Sequence, residues 1–380
     1  MNKFSSPISV LDFGSTHLGL AIYENQILTQ SVLYEEKIDY TKNQDSYALH
    51  TLSNIINKAE KNIGQHLNDI LLLVDSSCIF SLDFSINKNF EKKIITKDDI
   101  NHLIIESENI VRSSYKSNYI LHTIISKVLF DNKIIDNLEN MNHAANLVSV
   151  DLKFILISKK TCDDVKDLLF KKYISVNQIF CTSYFKSLGL IKKFSISGYN
   201  SFIDIGHKKS SLTIFNNDKF LFMNNTHIGG NHITKDISKI LKIDYRIAEA
   251  KKIKFSKKKN YKNINNENEL LKKIINSRLE EIIELLFNNC PLVTNNVLNS
   301  KLSLYFTGNG SKVLNENLLS FGPEFDFVSE MSTMDEFKKD LFDTTINFHS
   351  YNQKLQPSKS IIKLENKGFF EKLFEYFSRN

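Results

Sequence analysis

Ile8-Ser9-Val10-Leu11-Asp12-Phe13-Gly14-Ser15-Thr16 is a short apolar run that stops on an aspartate and a glycine-containing polar turn. Leu18–Tyr23 then resumes as a second apolar run, so the pair reads as a β-hairpin. The same figure returns later: the strand Ser201–Ile205 runs through Asp204-Ile205-Gly206, and Ser211–Asn216 and Lys219–Thr226 continue as a meander. Two strand–Asp-x-Gly–turn–strand segments imply two related halves facing one cleft, each placing an aspartate and a close-approach glycine there.

Between and beyond these segments, helix and strand patterns alternate. Helical spacing of apolar residues runs over Ser46–Ile63 (Leu49, Leu52, Ile55, Ile56, Ala59, Ile63) and over Ile95–Val111 (Ile100, Leu103, Ile104, Ile110, Val111). Thr96 is a helix N-cap with Asp99 three residues on, a variant capping box. Ile70–Val74, Tyr119–Ile125, Lys127–Asp131, Leu152–Ser158 and Gln178–Cys181 read as strands, and Lys160–Tyr173 as an amphipathic helix. Gly229-Gly230 leads into a helix Asn231–Leu241. A long helix Glu267–Cys290 carries Leu270, Leu271, Ile274, Ile275, Leu279, Ile282, Ile283 and Leu286 on one face, and the strand Leu302–Phe306 ends at Thr307-Gly308-Asn309-Gly310.

The chain has 380 residues, long enough for two or more domains, and its 42% hydrophobic and 24% charged residues are ordinary for a soluble globular protein. The formal net charge of +6 is spread along the chain, its densest runs being Lys251–Lys254 and Lys257–Lys259. With no zinc-finger spacing and no arginine-rich arm, nucleic acid is not an expected partner. Cys78, Cys162, Cys181 and Cys290 form no C-x-x-C pair and sit in apolar stretches, as expected of buried thiols in a reducing compartment. Residues 1–7 have no signal-peptide pattern, and no apolar run approaches the ~20 residues of a spanning helix, so any membrane contact is expected to be peripheral.

A nucleoside triphosphate needs backbone N–H donors held close, hence glycine where phosphate approaches, and a metal whose hydration shell is held by carboxylates. Asp12 and Asp204 suit Mg2+ through water, Gly14-Ser15-Thr16 suits the phosphates, and Gly308-Asn309-Gly310 lets an adenine approach backbone. Taken alone, each Asp-x-Gly is better explained as a turn after a buried strand; the ordered set of three such turns is what favours the nucleotide reading.

The ordered set Asp12–Thr16, Asp204-Ile205-Gly206, Gly229-Gly230-Asn231 and Thr307–Gly310 resembles the actin, Hsp70 and sugar-kinase superfamily. In that superfamily these are the first and second phosphate loops, the second connecting segment and the adenosine loop. The stretches Ile95–Leu103, Ala248–Lys254 and Gly368–Arg379 are similar to the FtsA family of bacterial cell division.

The resemblance implies an α/β, actin-like fold with an inserted small α+β subdomain. Domain I would span 1–83 and 161–200, the inserted subdomain 84–160, and domain II 201–347 with a return to domain I. A linker 348–367 and an amphipathic helix 368–380 would follow. It implies ATP and Mg2+ as ligands, bound by Asp12, Gly14, Ser15, Thr16, Asp204, Gly206, Gly229, Gly230, Asn231, Glu249, Lys252, Gly308 and Gly310. Glu249 and Lys252, three apart on one helix face, would contact ribose and adenine, or else form an ordinary exposed ion pair.

Departures from the family pattern bear on chemistry. The second loop reads Asp204-Ile205-Gly206-His207-Lys208-Lys209, with side chains where further glycines are usual. Weak or absent ATP hydrolysis is the expectation, although the lysines offer phosphate a point charge. Between Cys181 and Gly189, Tyr184, Phe185 and Lys186 replace small residues of the first connecting segment, and no general base can be assigned.

At the C-terminal end, Phe369, Phe370, Leu373, Phe374, Tyr376 and Phe377 fall on one broad helical face. Phe369, Phe370, Leu373, Phe374 and Phe377 are the expected membrane-binding side chains, Glu371 and Glu375 keeping attraction to anionic lipid modest. By resemblance, the chain self-assembles into filaments and recruits the C-terminal peptide of the tubulin-like FtsZ, with other division proteins. It would do so on the anionic inner face of the cytoplasmic membrane at the septum. Two alternatives stay open: a PilM-type pilus-assembly scaffold without lipid binding, and a small-molecule kinase of the same superfamily.

Overall fold

Asp12 lies near the end of strand β1 (Ile8–Phe13), paired antiparallel with Gly19 of β2 (His17–Glu24) and parallel with Leu73 of β4 (Asp69–Val74). Asp204 has the same setting in β10 (Tyr199–Ile205). It faces Ser211 of the antiparallel β11 (Ser210–Asn216) and Thr307 of the parallel β13 (Leu302–Thr307). The computed structural model describes residues 7–24, 29–37, 44–135, 144–256, 266–288, 290–294, 301–314, 327–334 and 338–355.

Each aspartate therefore ends the central strand of a five-stranded mixed sheet. The first sheet has the order β3-β2-β1-β4-β9, with β3 Thr29–Lys37 and β9 Ser175–Cys181. The second has the order β12-β11-β10-β13-β14, with β12 Lys219–Thr226 and β14 Val328–Thr333. A meander on one side and two parallel strands on the other recur in both, so the duplicated Asp-x-Gly figure reflects a duplicated sheet. The parallel strands read as continuous apolar runs because helices cover them: Ile70 through Val74 are all buried.

The chain divides into two compact units. The first takes the described residues up to Ser195, Asp218–Phe220 and those from Lys338; the second takes Ile196–Asn217 and the chain between Leu221 and Lys338. In the first unit, α1 (Gln44–Ile63) buries Leu52, Ile55, Ile56 and Ala59. A second, antiparallel sheet of order β5-β8-β6-β7 is built from β5 Phe80–Ile94, β6 Asn118–Phe130, β7 Lys133–Ile134 and β8 Ala144–Ser158.

Its core is closed by α2 (Lys97–Ser114). Thr96 caps α2 as expected, its hydroxyl accepting from the Asp99 N–H while the Asp99 carboxylate accepts from the Thr96 N–H. The two strands expected at Tyr119–Ile125 and Lys127–Asp131 are one strand, β6; its register shift between Ile125 and Lys127 is a bulge, not an end. Ile110 is 41% exposed, because the buried face of α2 runs through Ser107, Glu108 and Val111 instead. α3 (Lys159–Phe170), α4 (Thr182–Phe194) and α9 (Lys338–Leu355) complete this unit.

The second unit packs its sheet against α5 (Gly230–Leu241), α6 (Tyr245–Ser256) and α7 (Asn266–Phe287). The α7 stripe Leu271, Ile274, Ile275, Leu279, Ile282, Ile283 and Leu286 is buried, but Leu270 is 40% exposed at the helix margin. α7 stops at Phe287 rather than Cys290. Pro291 opens a separate turn, α8 (Pro291–Thr294), and proline disfavours helical geometry in the residue before it. Cys162, Cys181 and Cys290 are buried as expected; Cys78 is exposed, in the loop after β4. α9 is helical to Leu355, so the first part of the expected linker 348–367 is helix. The tail residues Phe369, Phe370, Leu373, Phe374 and Phe377 lie outside the described residues.

Candidate nucleotide site

In the second unit, three segments far apart in sequence meet through glycine. A Cβ on Gly308 would fall 2.2 Å from Asp204 Oδ1 and 2.5 Å from the Ile205 carbonyl oxygen, and Gly308 itself has a left-handed φ of 88°. A Cβ on Gly310 would fall 2.7 Å from the same carbonyl oxygen. One on Gly229 would fall 2.7 Å from Gly206 O and from Lys209 N. Glycine is required here because backbone packs on backbone. Gly206, Gly229, Gly230, Gly308 and Gly310 are thus brought together around the end of β10, with the Asp204 carboxylate over Gly308.

The same packing occupies the start of α5. A helix leaves its first four N–H groups without intrahelical partners, which is what makes its N-terminus attractive to phosphate. Here Gly230 N–H donates to Gly206 O at 2.9 Å and Asn231 N–H to His207 O at 2.8 Å. Gly229 N–H donates to His232 Nδ1 at 3.2 Å, and His232 N–H to Gly229 O at 2.9 Å. The loop itself is tied by Gly206 N–H to Lys209 O at 2.9 Å. The second loop therefore caps α5 with its own carbonyls.

Glu249 and Lys252, both on α6, are 2.8 Å apart, yet the pair is not the ordinary exposed one: Lys252 is 6% exposed. Its Nζ donates to Gly230 O at 2.9 Å and to Thr234 Oγ1 at 2.7 Å. The Thr234 hydroxyl also bonds the Glu249 carboxylate. Burial works against ionisation of Glu249, but hydrogen bonds from Lys252 and Thr234 outweigh it and hold the carboxyl below its usual range. Burial first, then the Lys252 charge, lowers His207 to about 4, so this ring is neutral near pH 7. Tyr245 completes the cluster, its hydroxyl donating to Asn231 Oδ1 at 2.7 Å.

In the first unit, Gly14, Ser15 and Thr16 form the turn between β1 and β2, just beyond Asp12 of β1. A Cβ on Gly14 would meet His17 O at 2.7 Å, and Thr16 Oγ1 lies 2.9 Å from His17 Nδ1. Thr182, at the start of α4, reaches Asp12 Oδ1 at 3.5 Å. Sequence reasoning missed Thr182, Thr234 and Tyr245. Thr182 carried one signal, a hydroxyl residue directly after an expected strand; Thr234 carried another, a small polar side chain one helical turn after Gly230.

As a fit for a nucleotide, the second unit is uneven. The partly exposed Glu249 carboxylate offers an acceptor for ribose hydroxyls, whereas the space beside Gly308 and Gly310 is taken by Asp204 and Ile205. The N–H groups opening α5 also already have acceptors.

Two sheets of one strand order, each ending its central strand on Asp-x-Gly, define the actin-like fold. In agreement, the chain superposes on the PilM–PilN type IV pilus biogenesis complex with a TM-score of 0.56 at 14% identity, covering 86% of this chain and 88% of that one. Residues 201–352 match the family model described as cell division protein FtsA. The cell division protein FtsA of Helicobacter pylori strain ATCC 700392 / 26695 is 20% identical over 162 residues, 43% of this chain and 32% of that protein. That of strain J99 / ATCC 700824 is 21% identical over 164 residues, with the same shares. The similarity spans about a third of the length of these curated relatives. The chain is a divergent FtsA-like protein of the actin fold.

Proposed function

We propose that this protein is a membrane-tethered adaptor of cell division that binds ATP with Mg2+, self-assembles, and anchors FtsZ filaments to the inner face of the cytoplasmic membrane at the septum. The observation that carries the proposal is the match of residues 201–352 to the FtsA family model, in a chain that also holds the amphipathic segment Gly368–Arg379. The second unit docks the C-terminal peptide of FtsZ, and other division proteins join on the assembled filament.

Physical reasons support coupling assembly to the tail. Each large apolar side chain moved out of water contributes at most about 1.5–3 kcal/mol, so one short helix attaches reversibly. A row of subunits multiplies such contacts and holds far more tightly. Among the described residues no helix is long and apolar enough to cross a membrane, so the attachment proposed here is a surface one.

ATP serves as an assembly ligand rather than a substrate turned over rapidly. Glu249 and Lys252 stand at the nucleoside. In the first unit Asp12 offers a carboxylate to a Mg2+ hydration shell and Gly14, Ser15 and Thr16 a turn for phosphate; in the second, Asp204 and Gly206 offer the same pair of functions. Gly229, Gly230 and Asn231 position the second loop. Because that loop caps α5 with its own carbonyls, the N–H groups opening α5 are already engaged, which supports slow hydrolysis and weighs against a kinase.

The test sediments the full chain, and a chain ending at Lys367, with anionic vesicles, each with and without ATP and Mg2+. The proposal expects the full chain alone to pellet, and more with ATP. Equal pelleting of both chains, or of neither, overturns the tail anchor and favours a PilM-type scaffold.

A further inference from the structure

α3 ends at Phe170 in a tight turn. Lys172 and Ile174 N–H donate to Leu169 O at 2.8 and 3.2 Å, and Tyr173 N–H donates to Phe170 O at 2.9 Å. Tyr173 takes a φ of 60°, uncommon for so bulky a residue. The turn buries Leu169 and Ile174 and leaves Phe170 and Tyr173 74% and 87% exposed, more than any other large apolar side chain among the described residues. Lys171 and Lys172 lie between them.

α9 runs toward the same end of this unit's first sheet. Near its start, the Asp340 backbone faces Gly189 of α4; further on, the Phe348 ring is 5.9 Å from that of Phe180 on β9. One residue later, His349 Nδ1 lies 3.3 Å from Gln178 Oε1. His349 also lies within electrostatic reach of Asp69, the register partner of Ser175, and Ser175 follows the turn. α9 thus reaches, at His349, the Ser175 end of β9, which adjoins the Phe170–Tyr173 turn.

We propose that the turn Phe170–Tyr173 is a second membrane contact, its two aromatic rings entering the interface of an anionic bilayer and Lys171 and Lys172 meeting the headgroups. The proposal rests on the tail being a membrane anchor. Amphipathic side chains of this kind favour the water–lipid boundary, and lysines beside it are drawn to anionic lipid. Asp167 and Asp69 flank the turn, so the rings supply most of the attraction. The turn belongs to the folded unit, so its contact restricts the orientation in which the protein sits on the bilayer, which a tail on a linker alone does not.

The chain contains no tryptophan, so Tyr173→Trp places a single emitter at the turn. With vesicles of phosphatidylcholine and phosphatidylglycerol, its emission is expected to move to the blue, while that of Ile134→Trp, exposed on β7, stays in place. Exchange of both rings, Phe170→Ser with Tyr173→Ser, is expected to weaken vesicle binding of the full chain about tenfold or more, with the thermal midpoint unchanged. An unshifted Tyr173→Trp spectrum on sedimenting protein, or full affinity after the double exchange, overturns the second contact and leaves the tail anchor standing. Binding that survives truncation at Lys367 but is lost on the double exchange overturns the tail and keeps the turn. Failure of the full chain to bind overturns both.

Discussion

Lys252 Nζ lies 2.9 Å from the carbonyl oxygen of Gly230, so a buried side chain on α6 holds the first turn of α5 in place. The same ammonium is bonded to Thr234 and Glu249, and all three partners lose a donor if it is removed. Lys252→Met is therefore expected to destabilise the protein by about 2–4 kcal/mol. The check is the urea midpoint at constant m-value. Lys252→Arg is not expected to restore it, since a planar fork does not fit three acceptors arranged around a point charge.

The glycines around the end of β10 differ in what a methyl group would meet, and the differences rank their substitutions. Gly308→Ala combines a φ of 88° with an approach of 2.2 Å to Asp204 Oδ1 and is expected to lose about 3 kcal/mol or more. Gly229→Ala pushes the second loop off α5 and is expected to lose about 1–3 kcal/mol. Gly64→Ala, with a φ of 69° and nothing within 4 Å, is expected to lose only about 1 kcal/mol of backbone strain. Thermal midpoints of the three variants check the order.

At the N-terminus of α2, Thr96 and Asp99 satisfy each other's backbone N–H groups, and Lys93 Nζ adds a contact of 2.9 Å to Asp99 Oδ1. Burial disfavours the charged carboxylate, yet the bonds from Thr96 and Lys93 prevail and keep its pKa below the usual range. Thr96→Ala is expected to destabilise by about 1 kcal/mol in denaturant titration. The Asp99 share of stability is full above its ordinary value of 3.8 and is lost as pH falls below that, so the deficit of Thr96→Ala narrows in strong acid.

Much of this architecture was legible because local and tertiary signals agree. The hairpin at Ile8–Tyr23, the Thr96 cap and the α7 stripe each follow from spacing alone. β5 was not read, although Phe80, Leu82, Phe84 and Ile86 alternate, because its later half is charged and solvent-facing. The expected linker 348–367 begins inside α9, where the buried pair Phe348 and His349 mixes an apolar and a polar type. The burial of Lys252 left no trace in sequence, since the acceptors that compensate it, Gly230 and Thr234, come from another helix. The sequence marks the glycines as places where a ligand comes close; what approaches them in the described residues is the neighbouring loops and the Asp204 carboxylate.

His122 offers the sharpest pH test. It is fully buried on β6, where the register shifts between Ile120 and His122, and its Nε2 accepts from the Cys181 N–H at 3.0 Å. Phe180, Tyr184 and Phe185 surround the ring, and Nδ1 has no hydrogen-bond partner among the described residues. Burial lowers its pKa from 6.5 to about 3, so the folded protein holds the neutral ring where the unfolded chain takes up a proton. The stability this represents is complete above about pH 6.5 and is lost as pH falls toward 3, by about 1.4 kcal/mol per pH unit. His122→Phe removes the acceptor for the Cys181 N–H and is expected to be less stable at pH 7.5. Its stability should then fall with acidification by one proton less than the parent between pH 6 and 4. Urea midpoints of both proteins across that range measure the slope, and parallel curves would show that His122 is not the group that titrates.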